Sequence, residues 1–180
     1  TGKGGYDHYM LKEIHNQPTA LKKTLEGRIE PETGTVSLDG LEPGRFEEYD
    51  QVDLVACGTS YHAALYGAKI LQEAGIEAQA HRASEYGTSS QLVSDSTLAI
   101  PVTQSGETAD TLSAMRDAAD AGATTVAVTN VMGSTVARQA DETVFIRAGP
   151  EIGVAATKTF SSQVVTLLLL ARRLAEDMDD

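Results

Sequence analysis

Strand-length segments alternating with helical ones predict an α/β fold, a three-layer α/β/α sandwich around a five-stranded parallel sheet. Strand candidates recur at residues 51–56, 77–81, 97–102, 124–129 and 142–146. Helical segments separate most of them, and such βαβ units need a parallel sheet covered on both faces. Gly75 and Gly122 stand where C′ glycines would end two of the helices.

Taken in order, residues 6–27 read as helix with a break. Met10, Leu11 and Ile14 fall on one face, Pro18 can open a second helix in its first turn, and Leu21 and Leu25 continue the stripe. Residues 28–50 are turn-rich, with Pro31, Gly34, Gly40, Pro43 and Gly44; Val36 and Leu38 suggest a short strand there. The first sheet strand then runs through the turn Cys57-Gly58-Thr59-Ser60 into a helix reaching about Ala74. After the second strand comes a short polar segment, 82–94. The third strand stops at Thr103, and a helix covers 108–121. A short helix over 134–140 links the fourth and fifth strands. A loop at 149–154 leads into a long apolar helix over 157–176, in which residues 167–170 should be well buried. The chain thus divides into an N-terminal helical segment and linker, 1–50, and a globular unit, 51–180, that packs with it. The opening Thr1-Gly2-Lys3-Gly4-Gly5 has no initiator Met and reads as a cut within a longer polypeptide.

At 180 residues one domain can bury about 70% of its unfolded surface. Its 41% apolar and 22% charged residues are those of a soluble protein. No apolar run reaches the ~18 residues of a membrane span. A single cysteine, Cys57, excludes an internal disulfide and a cysteine-cluster metal site, in keeping with the cytoplasm. The net charge of −12 argues against nucleic acid as a partner. Few lysines and many Asp, Ala and Thr suggest a salt-adapted surface.

Chemistry concentrates at the strand-to-helix junction Thr103-Gln104-Ser105-Gly106-Glu107-Thr108. Hydroxyls, a carboxamide and a glycine at a helix N-terminus suit an oxyanion, because the first helical N–H groups are unpaired. In a doubly wound sheet of order 2-1-3-4-5 the crevice opens between strands 1 and 3, so this turn should face Cys57-Gly58-Thr59-Ser60. Acidic surface charge does not forbid a phosphate there, since it is screened over about 8 Å at physiological salt. The bland alternative is that Ser60 and Thr108 only cap their helices. No G-x-x-x-x-G-K-[ST], G-x-G-x-x-G or G-x-S-x-G motif is present, so no nucleotide cofactor is implied. His8, His15, His62 and His81 lack ligand spacing, and no metal site is expected. Glu107, in the first turn of a helix, favours the dipole more readily than catalysis. Lys158, near the start of the last helix, could reach the crevice. No acid–base pair is visible, so no catalytic residue is assigned to this chain.

Three motifs, Cys57-Gly58-Thr59-Ser60-Tyr61, Thr103-Gln104-Ser105-Gly106-Glu107-Thr108-Ala109-Asp110-Thr111 and Ala148-Gly149-Pro150-Glu151-Ile152-Gly153-Val154-Ala155, closely resemble the glucosamine-6-phosphate synthase family, the glutamine–fructose-6-phosphate aminotransferases. The match is to the first of two sugar-isomerase (SIS) domains and covers nearly the whole chain. His8-Tyr9-Met10-Leu11-Lys12-Glu13-Ile14 looks like the family's helix leading out of the glutaminase domain. The resemblance implies a flavodoxin-like sandwich that binds fructose 6-phosphate and belongs to a dimeric, cytoplasmic enzyme making glucosamine 6-phosphate. Ser60, Gln104, Ser105 and Thr108 sit where the family grips phosphate and sugar. Thr59 and Val154 sit where it contacts sugar, with Gly58, Gly106 and Glu107 as supporting backbone. Thr103 and Ala156 stand where the family usually has Ser. The family's Schiff-base lysine, proton-moving glutamate and ring-opening histidine come from the second SIS domain and the C-terminal tail. Its ammonia comes from a glutaminase domain. The resemblance therefore implies a sugar-phosphate-binding fragment inactive alone. The alternatives are an SIS domain of another sugar-phosphate isomerase or deaminase, or of a non-catalytic sensor joined to a DNA-binding domain.

Overall fold

The computed structural model describes residues 2–89, 92–153 and 155–178. Twelve elements follow one another: α1 (Tyr9–His15), α2 (Gln17–Leu25), β1 (Gln51–Ala56), α3 (Gly58–Glu73), β2 (Ala78–Arg82), α4 (Ala83–Ser89), β3 (Thr97–Thr103), α5 (Ala109–Asp120), β4 (Thr124–Thr129), α6 (Thr135–Gln139), β5 (Glu142–Phe145) and α7 (Lys158–Met178). The five strands are parallel in the order β2-β1-β3-β4-β5. That is the expected sandwich. β1 pairs with β3 from Gln51↔Thr97 to Ala56↔Val102, so their carboxyl ends lie level and the turns after them begin side by side.

Alternation along each strand sends its residues to two different cores. Leu54, Leu98, Ile100 and Val102 meet Leu167, Leu170 and Leu174 of α7 on one face. Val55 and Ala99 meet Ala83, Tyr86, Ala114 and Ala118 on the other. Gly67 of α3 is sandwiched between β1 and α7: a Cβ there would stand 3.2 Å from Leu54 Cδ2 and 3.4 Å from Leu167 Cβ. α7 is less uniformly buried than its run of leucines suggests. Leu168 is 44% exposed while Leu167, Leu169 and Leu170 are buried, because a 3.6-residue period turns one of four consecutive side chains outward.

The N-terminal half departs from the sequence reading in three places. Met10, Leu11 and Ile14 remain exposed; α1 is anchored instead by Glu13, 3% exposed, whose carboxylate accepts hydrogen bonds from the Ile152 and Gly153 N–H groups. No strand forms at Val36 and Leu38. A single antiparallel bridge joins Ile29 and Val36, and both Val36 and Leu38 enter the core from a turn-rich segment. Residues 82–94, expected as a polar connector, contain α4. Its one deeply buried aromatic, Tyr86, gives too short an apolar pattern to reveal a helix. At the C-terminus, buried Arg173 pairs with Asp177 at 2.8 Å and donates to the Leu41 carbonyl at 3.0 Å. Asp177 also accepts from the Gly44 and Phe46 amides, which fastens residues 41–46 to α7.

Two local constraints position the crevice. In β1, buried Asp53 accepts from the Tyr86 hydroxyl at 2.8 Å and the Gln51 carboxamide at 3.0 Å, with His81 Nε2 3.5 Å away. Burial raises the Asp53 pKa, but His81, Gln51 and Tyr86 outweigh it and hold the carboxyl below its ordinary value. The same burial beside a carboxylate pushes the Tyr86 phenol up. In the turn after β3, Gly106 adopts φ +71°, and a Cβ there would overlap Ser134. Its carbonyl accepts from the Val136 N–H at 3.0 Å.

A carboxyl whose folded pKa is depressed stabilises the fold above its unfolded pKa of about 3.9 and loses that contribution as pH falls through the folded value. Asp53→Asn should therefore lower stability at pH 7 by about 1–3 kcal/mol, and urea titrations should show the gap to wild type closing below about pH 4. Gly106→Ala combines a left-handed backbone with overpacking and should cost about 2–4 kcal/mol. Calorimetry should register this as a Tm lower by about 5–10 °C.

Candidate functional site

α3 begins directly after Cys57, with Gly58 at φ +56° turning the chain from β1 into the helix. The expected turn at 57–60 is thus already helix at Gly58, and Thr59 and Ser60 belong to its first turn. No side chain caps α3, and no acidic residue occupies its first turn. Its leading amides therefore remain available as donors. At the facing junction Thr108 is the N-cap of α5, yet its hydroxyl makes no capping bond and pairs with Thr103 Oγ1 at 2.9 Å. Neither Ser60 nor Thr108 plays the capping role that would have explained it away.

A crevice of about 190 Å³ opens here, lined by Thr59, Ser60 and Gln104 together with Glu151, Gly153, Ala156, Thr159 and Gln163. The turns after β1 and β3 thus meet at the strand-order reversal, as the topology requires. Gln104 is held from behind, its carbonyl accepting from the Asn130 N–H at 3.1 Å, so its side chain is presented from a fixed backbone. The other residues of that turn are engaged among themselves. Gly106 N–H donates to Thr103 Oγ1 at 3.3 Å, and Glu107 N–H to Ser105 Oγ at 3.1 Å. Both amides brace the turn. Thr103 is buried, and Ser105 and Thr108 flank the crevice without lining it.

Glu107 turns away to α6, where Thr135 donates to it through N–H at 2.8 Å and hydroxyl at 2.6 Å. Those bonds hold its carboxyl below the ordinary range, which suits an ionised cap and not a proton donor. Lys158 does not line this crevice; it faces the opposite side of the 148–152 segment. Val154 lies outside the described residues.

α7 supplies what sequence reasoning missed. Gln163 Nε2 donates to Ser60 Oγ at 3.0 Å. Thr159 bonds Glu151, whose carboxylate also accepts from the Thr157 N–H at 2.7 Å and hydroxyl at 2.8 Å. The available signal was the polar i, i+4 pair Thr159 and Gln163 on an otherwise apolar helix. The result is a pocket of hydroxyls, carboxamides and helix N-termini around one carboxylate, Glu151, that is hydrogen-bonded by Thr157 and Thr159. No cation lines it. Such a site can hold an oxyanion through dipoles and hydrogen bonds and can orient hydroxyls, but it offers no proton-transfer couple.

The SIS domain profile matches residues 46–173. A glutamine–fructose-6-phosphate aminotransferase (isomerizing) of Halobacterium salinarum is 53% identical over 175 residues, covering 96% of this chain and 29% of its own length. One from Symbiobacterium thermophilum is 52% identical over 172 residues, covering 94% and 28%. The solved C-terminal domain of glucosamine-fructose-6-phosphate aminotransferase from Francisella tularensis matches with a TM-score of 0.88 at 36% identity, covering 97% of this chain and 49% of that one. The chain thus spans less than a third of the length of the curated relatives it matches. With the profile spanning all five strands and both turns of the crevice, this chain belongs to the SIS domain family.

Proposed function

We propose that the crevice binds fructose 6-phosphate and that the chain is the first SIS domain of a glutamine–fructose-6-phosphate aminotransferase. The observation that carries the reading is the meeting of the α3 N-terminus, with Thr59 and Ser60, and Gln104 from the turn after β3 in one cation-free pocket. The phosphate dianion rests on the leading amides of α3 and the hydroxyl of Ser60. Gln104 closes on it from the β3 side, with Ser105 and Thr108 flanking the crevice. Thr59 and Val154 contact the sugar, and Ala156 leaves one sugar hydroxyl without the partner a serine would give. Each charge-assisted hydrogen bond contributes about 1.5–3 kcal/mol, and each helix terminus about 0.3–1 kcal/mol. That is enough for a phosphate ester without a lysine or arginine.

Turnover needs a base for the sugar carbons, a carbonyl-activating amine and a source of ammonia. The pocket has none of these, so the reading assigns them to a second SIS domain and a glutaminase domain of the same polypeptide, in a cytoplasmic homodimer. The identity to aminotransferases over almost the whole chain supports this reading over a deaminase or sensor.

Isothermal calorimetry with fructose 6-phosphate should show saturable binding at millimolar or lower ligand; no heat at 10-millimolar order, about the weak limit for a built site, would overturn the reading. Ser60→Ala should weaken binding about tenfold or more, and Ser60→Asp should abolish it with an unchanged circular dichroism spectrum. Affinity should fall below about pH 6, where a phosphate monoester takes up its second proton. The chain given fructose 6-phosphate and glutamine should release no glucosamine 6-phosphate, measured by mass spectrometry.

A further inference from the structure

Lys158, the first residue of α7, is only 7% exposed, and among the described residues its ammonium pairs with no carboxylate and donates to no acceptor. The stem of Lys158 is packed away and its ammonium opens onto a crevice, where a cation without a neighbouring carboxylate favours an anion. The carboxylates on the neighbouring segment are already occupied. Glu13 receives the Ile152 and Gly153 amides, and Glu151 receives Thr157 and Thr159.

Lys158 lines a crevice of about 210 Å³ between α2, residues 148–150 and the start of α7. Asn16, Thr19 and Lys23 from the α2 side complete its polar wall, and no acidic residue lines it. In a chain of net charge −12 that is an unusual concentration of donors and cations. Gly149 roofs the ammonium closely, since a Cβ there would stand 3.9 Å from Lys158 Nζ. Neither the sugar-phosphate pocket nor the mechanism uses any of these residues. The two pockets share only the 149–153 segment as a partition, with Lys158 on one side and Thr159 on the other.

We propose that this crevice is a second oxyanion site, taking the phosphate group of a small molecule between the ammonium of Lys158, held on a packed stem, and the exposed one of Lys23. Asn16 and Thr19 donate to its remaining oxygens. The two ammonium groups supply the charge, and the hydroxyl and carboxamide supply the geometry that separates a tetrahedral anion from chloride. The site is independent of the pocket at Ser60, so either can fail without the other.

Amide-resolved NMR titration of the chain with inorganic phosphate tests it, with glycerol 3-phosphate and acetate as parallel arms. Phosphate should shift the amides of Asn16, Thr19 and Gly149 with a saturable curve, separately from any response at residues 58–60 and 104–106. Lys158→Met keeps the buried stem and should raise the Kd at Gly149 at least about tenfold; Lys23→Gln, on an exposed position that does not threaten the fold, should raise it several-fold. Tighter binding of the ester than of phosphate assigns an organic phosphate, and equal binding assigns the free ion; both support the site. Unshifted Asn16 and Gly149 amides, shifts that persist in Lys158→Met, or acetate binding as well as phosphate would overturn it.

Discussion

The parallel pairing of β1 with β3 is the constraint on which the molecule depends. The strands are separated by two helices and another strand, yet they match residue for residue from Gln51↔Thr97 to Ala56↔Val102. That register brings two strand-to-helix turns level, and it makes β1 the point where the strand order reverses. A parallel ladder buried on both faces must be covered by helices that start at its carboxyl end. α3 and α5 do so, and their N-termini converge for that reason. The crevice is thus a consequence of sheet topology before it is a matter of side chains.

What topology leaves open, two carboxylates settle. Residues 148–153 and 155–157 have no regular structure, and their course is set by groups far away in sequence. Glu13 of α1 takes the amides of Ile152 and Gly153, and Asn130 at the end of β4 bonds both Ala148 and Gly149. Glu151 ties the segment forward to the start of α7. These bonds convert a loop into a wall with distinct chemistry on its two sides. A hydroxyl-lined pocket faces the sheet, and a lysine-lined one faces α2. The N-terminal helices therefore shape the crevice at Ser60 without lining it, which is why Glu13 and not an apolar residue is the buried anchor of α1.

Much of this was legible in the chain itself. Strand–helix alternation carries the fold because a parallel sheet leaves few ways to connect such units. β1 and β4 span the residues that the sequence pattern marks, 51–56 and 124–129. The turns at Gly58 and Gly106 were visible as glycines among hydroxyls. α4 was not legible, because a helix held by one buried tyrosine on a buried aspartate has no periodicity to read. The apolar face of α1 misled, since hydrophobic spacing reports what can be buried and not what is. Gln163 and Glu151 were hidden for a different reason: their importance lies in meeting Ser60 and Thr157 at a helix start, and no local pattern encodes that meeting.

The sequence by itself determined the sheet, the order of its strands and the two strand-to-helix turns that meet at the crevice, because these follow from periodicity, glycine conformation and chain connectivity, all local properties. Only the tertiary structure decided which donors face the pocket and which brace the turn. It sent Glu107 to α6, drew Gln163 to Ser60 and turned Lys158 into a second crevice beside α2. Side-chain direction and burial depend on what the rest of the chain brings alongside, and that is settled by packing.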